Sequence, residues 1–268
     1  MQGYYTFLSY FNNCSINSVE YNICKAIIEN IDNLSSFRVS DLAMLSNTSE
    51  PSVKRFWNSL GYNSFQHMKN QIYISYQEFI LTFNTARHSN LSNYGKHKSL
   101  PEILSRTMSD SINTLVGSYD FKQIDRFSDH LLGNAMKLLI CTNIQLASVM
   151  LLQALLSIAG KPISAPMFFA SQRDELESAT ANSAVLLCGS ARYVGALYAK
   201  PVERARANGA SVAICIDDDT APINSQADFN LCFNATNAPS IHSFSFLLDY
   251  LAIRYYEQKK LMPSPPLQ

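Results

Sequence analysis

Apolar residues in the first eighty positions recur at helical spacing. Val19, Ile23, Ile27 and Ile31 form one stripe, with Lys25, Glu29 and Asp32 on the opposite side. Residues 1–17 are aromatic and polar and suit a short first helix. Val39, Leu42, Ala43 and Leu45 give another short helix an apolar face. Ser46-Asn47-Thr48 then breaks it, because these side chains compete for backbone hydrogen bonds and Asn tolerates a left-handed turn. Ser49 is placed to cap the next helix, with Glu50 and Pro51 in its first turn, where a missing N–H costs nothing. Val53, Phe56, Trp57 and Leu60 recur on its inner side, and Gly61 ends it. Glu50, Ser52, Lys54, Arg55 and Asn58 are left facing outward. A further amphipathic helix over Phe65–Phe83 carries Met68, Ile72, Tyr76 and Phe79 on one side.

The periodicity fades over residues 85–99, a polar stretch that contains a Gly and reads as a linker. Pro101 opens a helix with Ile103, Met108, Ile112 and Leu115 in helical register. A second helix, to Leu132, turns Ile124, Phe127 and Leu131 inward. The pattern then changes to short apolar runs alternating with helices. Lys137–Thr142 precedes a helix over Gln145–Ala159, and Pro162–Phe169 is a weaker strand before a short helix at Gln172–Glu177. Ser183–Cys188 precedes a helix over Gly195–Asn208, and Ala210–Ile216 precedes a loop. Phe229–Phe233 precedes a last helix near Ile241–Glu257. Continuous apolar strands separated by helices predict a parallel sheet covered on both faces. The predicted organisation is therefore an all-α helix-turn-helix domain over 1–84, a linker over 85–99, a doubly wound α/β domain over 100–258 and a disordered tail over 259–268.

A short helix showing small polar groups, Lys, Arg and Asn is what a DNA major groove accepts. An ordinary helical hairpin with a solvated face would carry the same pattern. A resemblance carried by the finer spelling favours the first. Leu42-Ala43, Ser49-Glu50-Pro51-Ser52-Val53, Arg55-Phe56, Leu60-Gly61-Tyr62 and Ser64-Phe65 follow one another without a gap. This run resembles the signature of the RpiR-type regulators: Leu-Ala, then Ser-x-x-Thr-Ile-x-Arg-Phe, then Leu-Gly-Phe-x-Gly-Phe. Ser52 stands for the Thr, Val53 for the Ile, Tyr62 for the Phe and Ser64 for the second Gly. In that family a helix-turn-helix domain precedes a sugar-isomerase (SIS) domain, which binds a phosphosugar. The order of elements from Lys137 to Glu257 is similar to such a domain. Ala221-Pro222 and Ala227-Asp228 stand where the family has Ser-Pro and Ala-Asp.

Charge alters this picture only slightly. The formal net charge is zero. The first ninety residues also balance, with Lys25, Arg38, Lys54, Arg55, Lys69 and Arg87 against Glu20, Glu29, Asp32, Asp41, Glu50 and Glu78. Strong nonspecific DNA binding needs clustered cations and is not expected. Specific binding by a dimer with two recognition helices is compatible with the balance. The six cysteines form no CxxC pair, and most lie in apolar runs, as core thiols of a reducing cytosol do. No basic-then-apolar leader opens the chain, and no apolar run is long enough to span a bilayer. A cytoplasmic protein is expected.

Ligands of a doubly wound sheet bind outside the carboxyl ends of its strands. SIS domains carry Gly-x-Gly-x-Ser after the first strand, where glycines let backbone N–H groups reach a phosphate. Here Cys141-Thr142-Asn143-Ile144-Gln145 occupies that place. Of the second motif, Ser-x-Ser-Gly-x-Thr, the stretch Gly189–Val194 keeps at most Ser190. Arg192 can replace lost hydroxyl donors, since a guanidinium grips phosphate through two bonds, or it can lie in solvent or at a subunit interface. The candidate effector-binding residues are Thr142, Asn143, Gln145, Ser190 and Arg192. The candidate DNA-binding residues are Ser49, Glu50, Ser52, Lys54, Arg55 and Asn58.

No catalytic residue, metal ligand or cofactor is expected. An aldose–ketose isomerase needs a poised base, and His242 and Glu257, on the last helix, pair with no substrate site. Asp217-Asp218-Asp219 reads as a solvated loop rather than a cation site. The expected function is a DNA-binding regulator of sugar or amino-sugar metabolism. It acts on a double-stranded operator as a homodimer or homotetramer, with a phosphosugar or other small metabolite as effector. The alternatives are a SIS-fold sugar-phosphate isomerase with an accessory helical domain, or a regulator whose SIS half only dimerises.

Overall fold

The computed structural model describes residues 4–77, 80, 99–133, 137–142, 146–166, 169–234 and 240–261. Its contacts divide the chain into two compact units, Met1–Thr85 and Ala86–Gln268.

The first unit is helical. It comprises α1 (Tyr4–Asn13), α2 (Val19–Glu29), a 3-10 turn (Ile31–Ser36), α3 (Val39–Leu45), α4 (Glu50–Ser59) and α5 (residues 65–77). Its polar starts are capped: the Ser18 hydroxyl accepts the Tyr21 N–H at 3.1 Å, and the Ser64 hydroxyl accepts the His67 N–H at 3.1 Å. The predicted stripes converge on one core of Phe7, Ile23, Ile27, Leu42, Val53, Phe56, Leu60, Met68 and Ile72, except that Val19, in the first turn of α2, is 42% exposed. Each such side chain contributes about 1.5–3 kcal/mol by leaving water. Leu45 departs from its expected place and is 46% exposed. Leu42 and Ala43 together set the buried direction of α3, and Leu45 lies roughly a third of a turn away from it. Trp57 is half-buried against Phe65, with ring centroids 5.7 Å apart.

Lys69, one of the balancing charges of the first ninety residues, is only 6% exposed. Its ammonium donates to the carbonyls of Ser35 at 2.7 Å and Phe37 at 2.9 Å. It ties α5 to the segment that leads into α3.

The second unit is α/β, as expected. Its strands are β1 (Lys137–Thr142), β2 (Ile163–Ser164), β3 (Ser183–Gly189), β4 (Ser211–Ile216) and β5 (Phe229–Asn230). They form one five-stranded sheet in the order β2-β1-β3-β4-β5, with every pairing parallel. The helices are α6 (Leu100–Ser118), α7 (Lys122–Gly133), α8 (Leu146–Ile158), α9 (Phe169–Glu177), α10 (Ala191–Ala207) and α11 (Ser240–Leu261). Alternation along the central strands splits the core into two layers. Ala184, Leu186 and Cys188 of β3 pack with Leu115, Phe127, Leu152 and Phe244. Val185 and Leu187 pack with Leu176, Val194, Tyr198 and Val202 on the other face. Both faces being covered, these strands carry no polar positions between their apolar ones.

Two boundaries differ from expectation. α10 begins at Ala191 rather than Gly195, with Ser190 as its N-cap residue. α11 continues through Leu261, into the stretch expected to be a disordered tail. Lys259 and Lys260 suit the negative end of the helix, and the Lys260 ammonium lies 4.5 Å from the Tyr256 ring centroid. Of the expected linker, only Ser99 is among the described residues. Its backbone N–H donates to Glu102 at 2.9 Å, at the start of α6. Residues 262–268 lie outside the described set. Cys24, Cys188 and Cys215 are buried free thiols, and Cys232 donates to the Ile214 carbonyl at 3.2 Å.

Candidate nucleic-acid interface and strand-end crevice

The turn between α3 and α4 is built from the three polar residues that mark it in the sequence. Asn47 adopts φ +50°, the left-handed region. The Thr48 N–H donates to the Ala43 carbonyl at 2.9 Å and the Asn47 N–H to that of Met44 at 3.1 Å. These are the two bonds of a Schellman helix end, with Asn in the place Gly usually takes. Ser46 is buried and donates to the Leu42 carbonyl at 2.6 Å, and its oxygen lies 2.8 Å from the Thr48 hydroxyl.

The outer face of α4 is organised by hydrogen bonds along one line. The Ser49 hydroxyl accepts the Ser52 N–H at 3.3 Å and sits 2.9 Å from the Ser52 hydroxyl. Arg55 Nη2 donates to that same Ser52 oxygen at 3.0 Å. Glu50, Lys54, Arg55 and Asn58 are exposed, whereas Val53, Phe56 and Leu60 are buried. The candidate DNA-binding residues thus lie together on one polar face, and its inner side is fixed in the core.

In the second unit the strand order reverses direction between β1 and β3, since β2 lies beyond β1 and the chain then returns past it. A crevice at the carboxyl ends of these two strands is where such a sheet takes a ligand. Thr142 ends β1, paired with Cys188. Ser190 is half-buried at the N-cap of α10, and Arg192 follows in the first turn of that helix. Asn143 and Gln145 lie outside the described residues, as do the side chains of Thr142 and Arg192.

The structure adds Asp217, which the sequence pattern left in a solvated acid run. Its Oδ1 accepts the Ala191 N–H at 2.8 Å. Burial pushes its carboxyl above the usual range. Hydrogen bonds from the Ala191 N–H, its own N–H and the Ser190 hydroxyl oppose that shift, while the neighbouring Asp218 charge adds to it. Asp218 behaves differently. It accepts the Thr220 N–H at 2.8 Å and hydroxyl at 2.6 Å, and these bonds hold it below the usual range. Among the described residues no three His, Cys, Asp or Glu side chains gather as metal ligands. His242 is lowered by burial and half-buried, while Glu257 is exposed. Their spacing on α11 puts them about 22 Å apart, too far to act on one substrate.

Residues 12–78 match the family model described as a helix-turn-helix domain, rpiR family. No curated protein matches the chain. Among solved structures, the Vibrio vulnificus NanR protein complexed with ManNAc-6P is similar at 16% identity, with 94% of this chain and 90% of that one covered and a TM-score of 0.52. A candidate sugar-phosphate isomerase from Listeria monocytogenes is similar at 10% identity, over 62% of this chain and 94% of that one, with a TM-score of 0.52. The sugar isomerase domain of an RpiR transcription factor from Sphaerobacter thermophilus is similar at 14% identity, over 61% and 95%, with a TM-score of 0.49. At these identities the first two likenesses speak for the fold alone. Residues 12–78 thus carry an rpiR-family helix-turn-helix domain, and an α/β domain with a five-stranded parallel sheet follows it.

Proposed function

We propose that this protein is a transcription regulator of sugar or amino-sugar metabolism that reads a double-stranded operator through α4. The observation that carries this reading is the polar line Ser49–Ser52–Arg55 on a helix whose opposite side is locked into the core. Arg55 and Lys54 meet phosphate or base edges, while Ser49, Glu50, Ser52 and Asn58 contribute shorter contacts. Near-zero charge over the unit makes affinity depend on two heads acting together, hence on a dimer or tetramer with a roughly palindromic site.

The SIS-like unit supplies the self-association. α6 carries Leu104, Met108 and Val116 at 54%, 44% and 50% exposure, spaced by four and eight residues along one face. A second copy of the chain is the occupant proposed for this stripe. The crevice between β1 and β3 takes a small metabolite, touched by Thr142, Asn143, Gln145, Ser190 and Arg192. The protein is placed in the cytoplasm, where its operator is; no described helix is long and apolar enough to cross a membrane. An isomerase with an accessory helical domain is the less supported reading, because His242 and Glu257 are too far apart to share a substrate.

Selection of bound DNA from a random pool by the full-length protein tests the proposal. Enrichment of one inverted-repeat sequence is expected. A pool that stays random after repeated rounds sinks the regulator reading.

A further inference from the structure

A helix start presents backbone N–H groups that have no partner inside the helix, and it carries a partial positive charge. Anions, phosphate above all, settle there. α10 starts directly after the carboxyl end of β3, where a sheet of this kind takes its ligand, and one of its N–H groups is already taken. β3 and β4 run in register, with Gly189 paired to Ile216. Ser190 and Asp217 therefore leave the sheet side by side. Asp217 Oδ1 holds the Ala191 N–H at 2.8 Å. Ser190 makes no side-chain cap to its own helix. A donor that should meet a bound phosphate at this helix start is thus spent on a side chain of the chain itself.

We propose that Asp217 is a specificity-determining residue, an acidic side chain seated at the α10 N-terminus that shuts out phosphate monoesters. The crevice is thereby left to ligands that are neutral or cationic at that end. A phosphate brought to Ala191 N–H would have to displace the carboxyl oxygen and then remain beside it, like charge against like in a partly buried place. A hydroxyl or ammonium group instead finds an acceptor in Asp217. This inference rests on the reading that the crevice binds a metabolite, but not on which DNA sequence α4 selects.

The test is calorimetric titration of full-length wild type, Asp217→Ala and Asp217→Asn, with ManNAc-6P and with the same sugar lacking phosphate as probes. Cooperative melting checks that each variant is folded. Wild type is expected to bind ManNAc-6P no better than the unphosphorylated sugar, and Asp217→Ala to bind it at least tenfold tighter than wild type does. The Asn variant keeps the shape but not the charge, so a smaller gain is expected. It decides the matter if the Ala variant does not fold. Micromolar binding of ManNAc-6P by wild type overturns the proposal, as does the absence of any gain in the folded variants. Operator selection is read separately. Failure here with an enriched operator removes only the role of Asp217, whereas an unenriched pool removes the regulator reading.

Discussion

The ammonium of Lys69 lies 2.9 Å from the carbonyl oxygen of Phe37, thirty-two residues earlier in the chain, and 2.7 Å from that of Ser35. A buried cation with two carbonyl acceptors is held by charge-assisted bonds, and removing it strands both acceptors. Lys69→Ala is expected to destabilise the helical unit by about 3 kcal/mol. Denaturant melting followed through Trp57, the single tryptophan, measures this. A loss below about 1 kcal/mol would mean that water replaces the ammonium at both carbonyls.

Asn47 holds φ +50° at the turn before α4. A β-branched side chain is strained there, and glycine is not. Asn47→Val should cost about 1–2 kcal/mol of stability, with Asn47→Gly close to wild type. Equal melting of the two variants would contradict the Schellman geometry.

Arg55→Ala should weaken binding to the selected operator by about 1–3 kcal/mol and relax preference at one base position if Arg55 reads a base. If it meets phosphate alone, the loss is uniform across sequences and the salt dependence becomes shallower. Titration of labelled operator at two salt concentrations separates these results. Unchanged affinity would remove Arg55 from the interface.

The stripe on α6 is tested by Met108→Asp, which sets a charge in the middle of an apolar contact. Light scattering of the full chain at micromolar concentration should show wild type as a dimer or larger and the variant shifted toward monomer. A wild type that is already monomeric refutes self-association through this face.

Asp217 gives the chain a pH signature. Its carboxyl is raised by burial in the folded state, so the folded chain keeps this proton to higher pH than the unfolded chain does. The contribution to stability is complete below the unfolded carboxylate value, about pH 4, and is lost as pH rises through the folded value. Ionisation at neutral pH therefore weighs against the fold. Asp217→Asn should melt higher than wild type at pH 7, with the gap closing as pH falls through the carboxylate range. A gap independent of pH would show that the acid's charge plays no part.

Much of this was legible in the sequence because local chemistry set it. Ser46-Asn47-Thr48 favours a helix end through its own side chains, and Ser49 with Pro51 favours a helix start. The runs ending at Thr142, Cys188 and Ile216 have no polar alternation, so only strands covered on both sides suit them. What escaped depends on partners distant in the chain. Lys69 is an ordinary surface residue by its neighbours in sequence, and only folding brings the carbonyls of Ser35 and Phe37 to it. Asp217 sits in a run of three acids and differs from Asp218 solely by the β3–β4 register that sets it beside Ala191. The early start of α10 has the same origin, since Asp217 satisfies an N–H that Ala191 would otherwise present bare. β2 and β5 were harder to delimit because each contributes only two paired residues.

If α4 reads DNA as proposed, the bond from Arg55 to Ser52 bears on how firmly the protein grips it. A free arginine samples many rotamers, and fixing such a side chain on binding costs about 0.5–1.5 kcal/mol. Here the guanidinium is already steered along α4 by the hydroxyl one turn before it, so part of that ordering is met during folding rather than at the groove. Ser52 thus acts as a rest for the arginine. Replacing it with alanine would leave every DNA-facing charge in place and still make the complex shorter-lived.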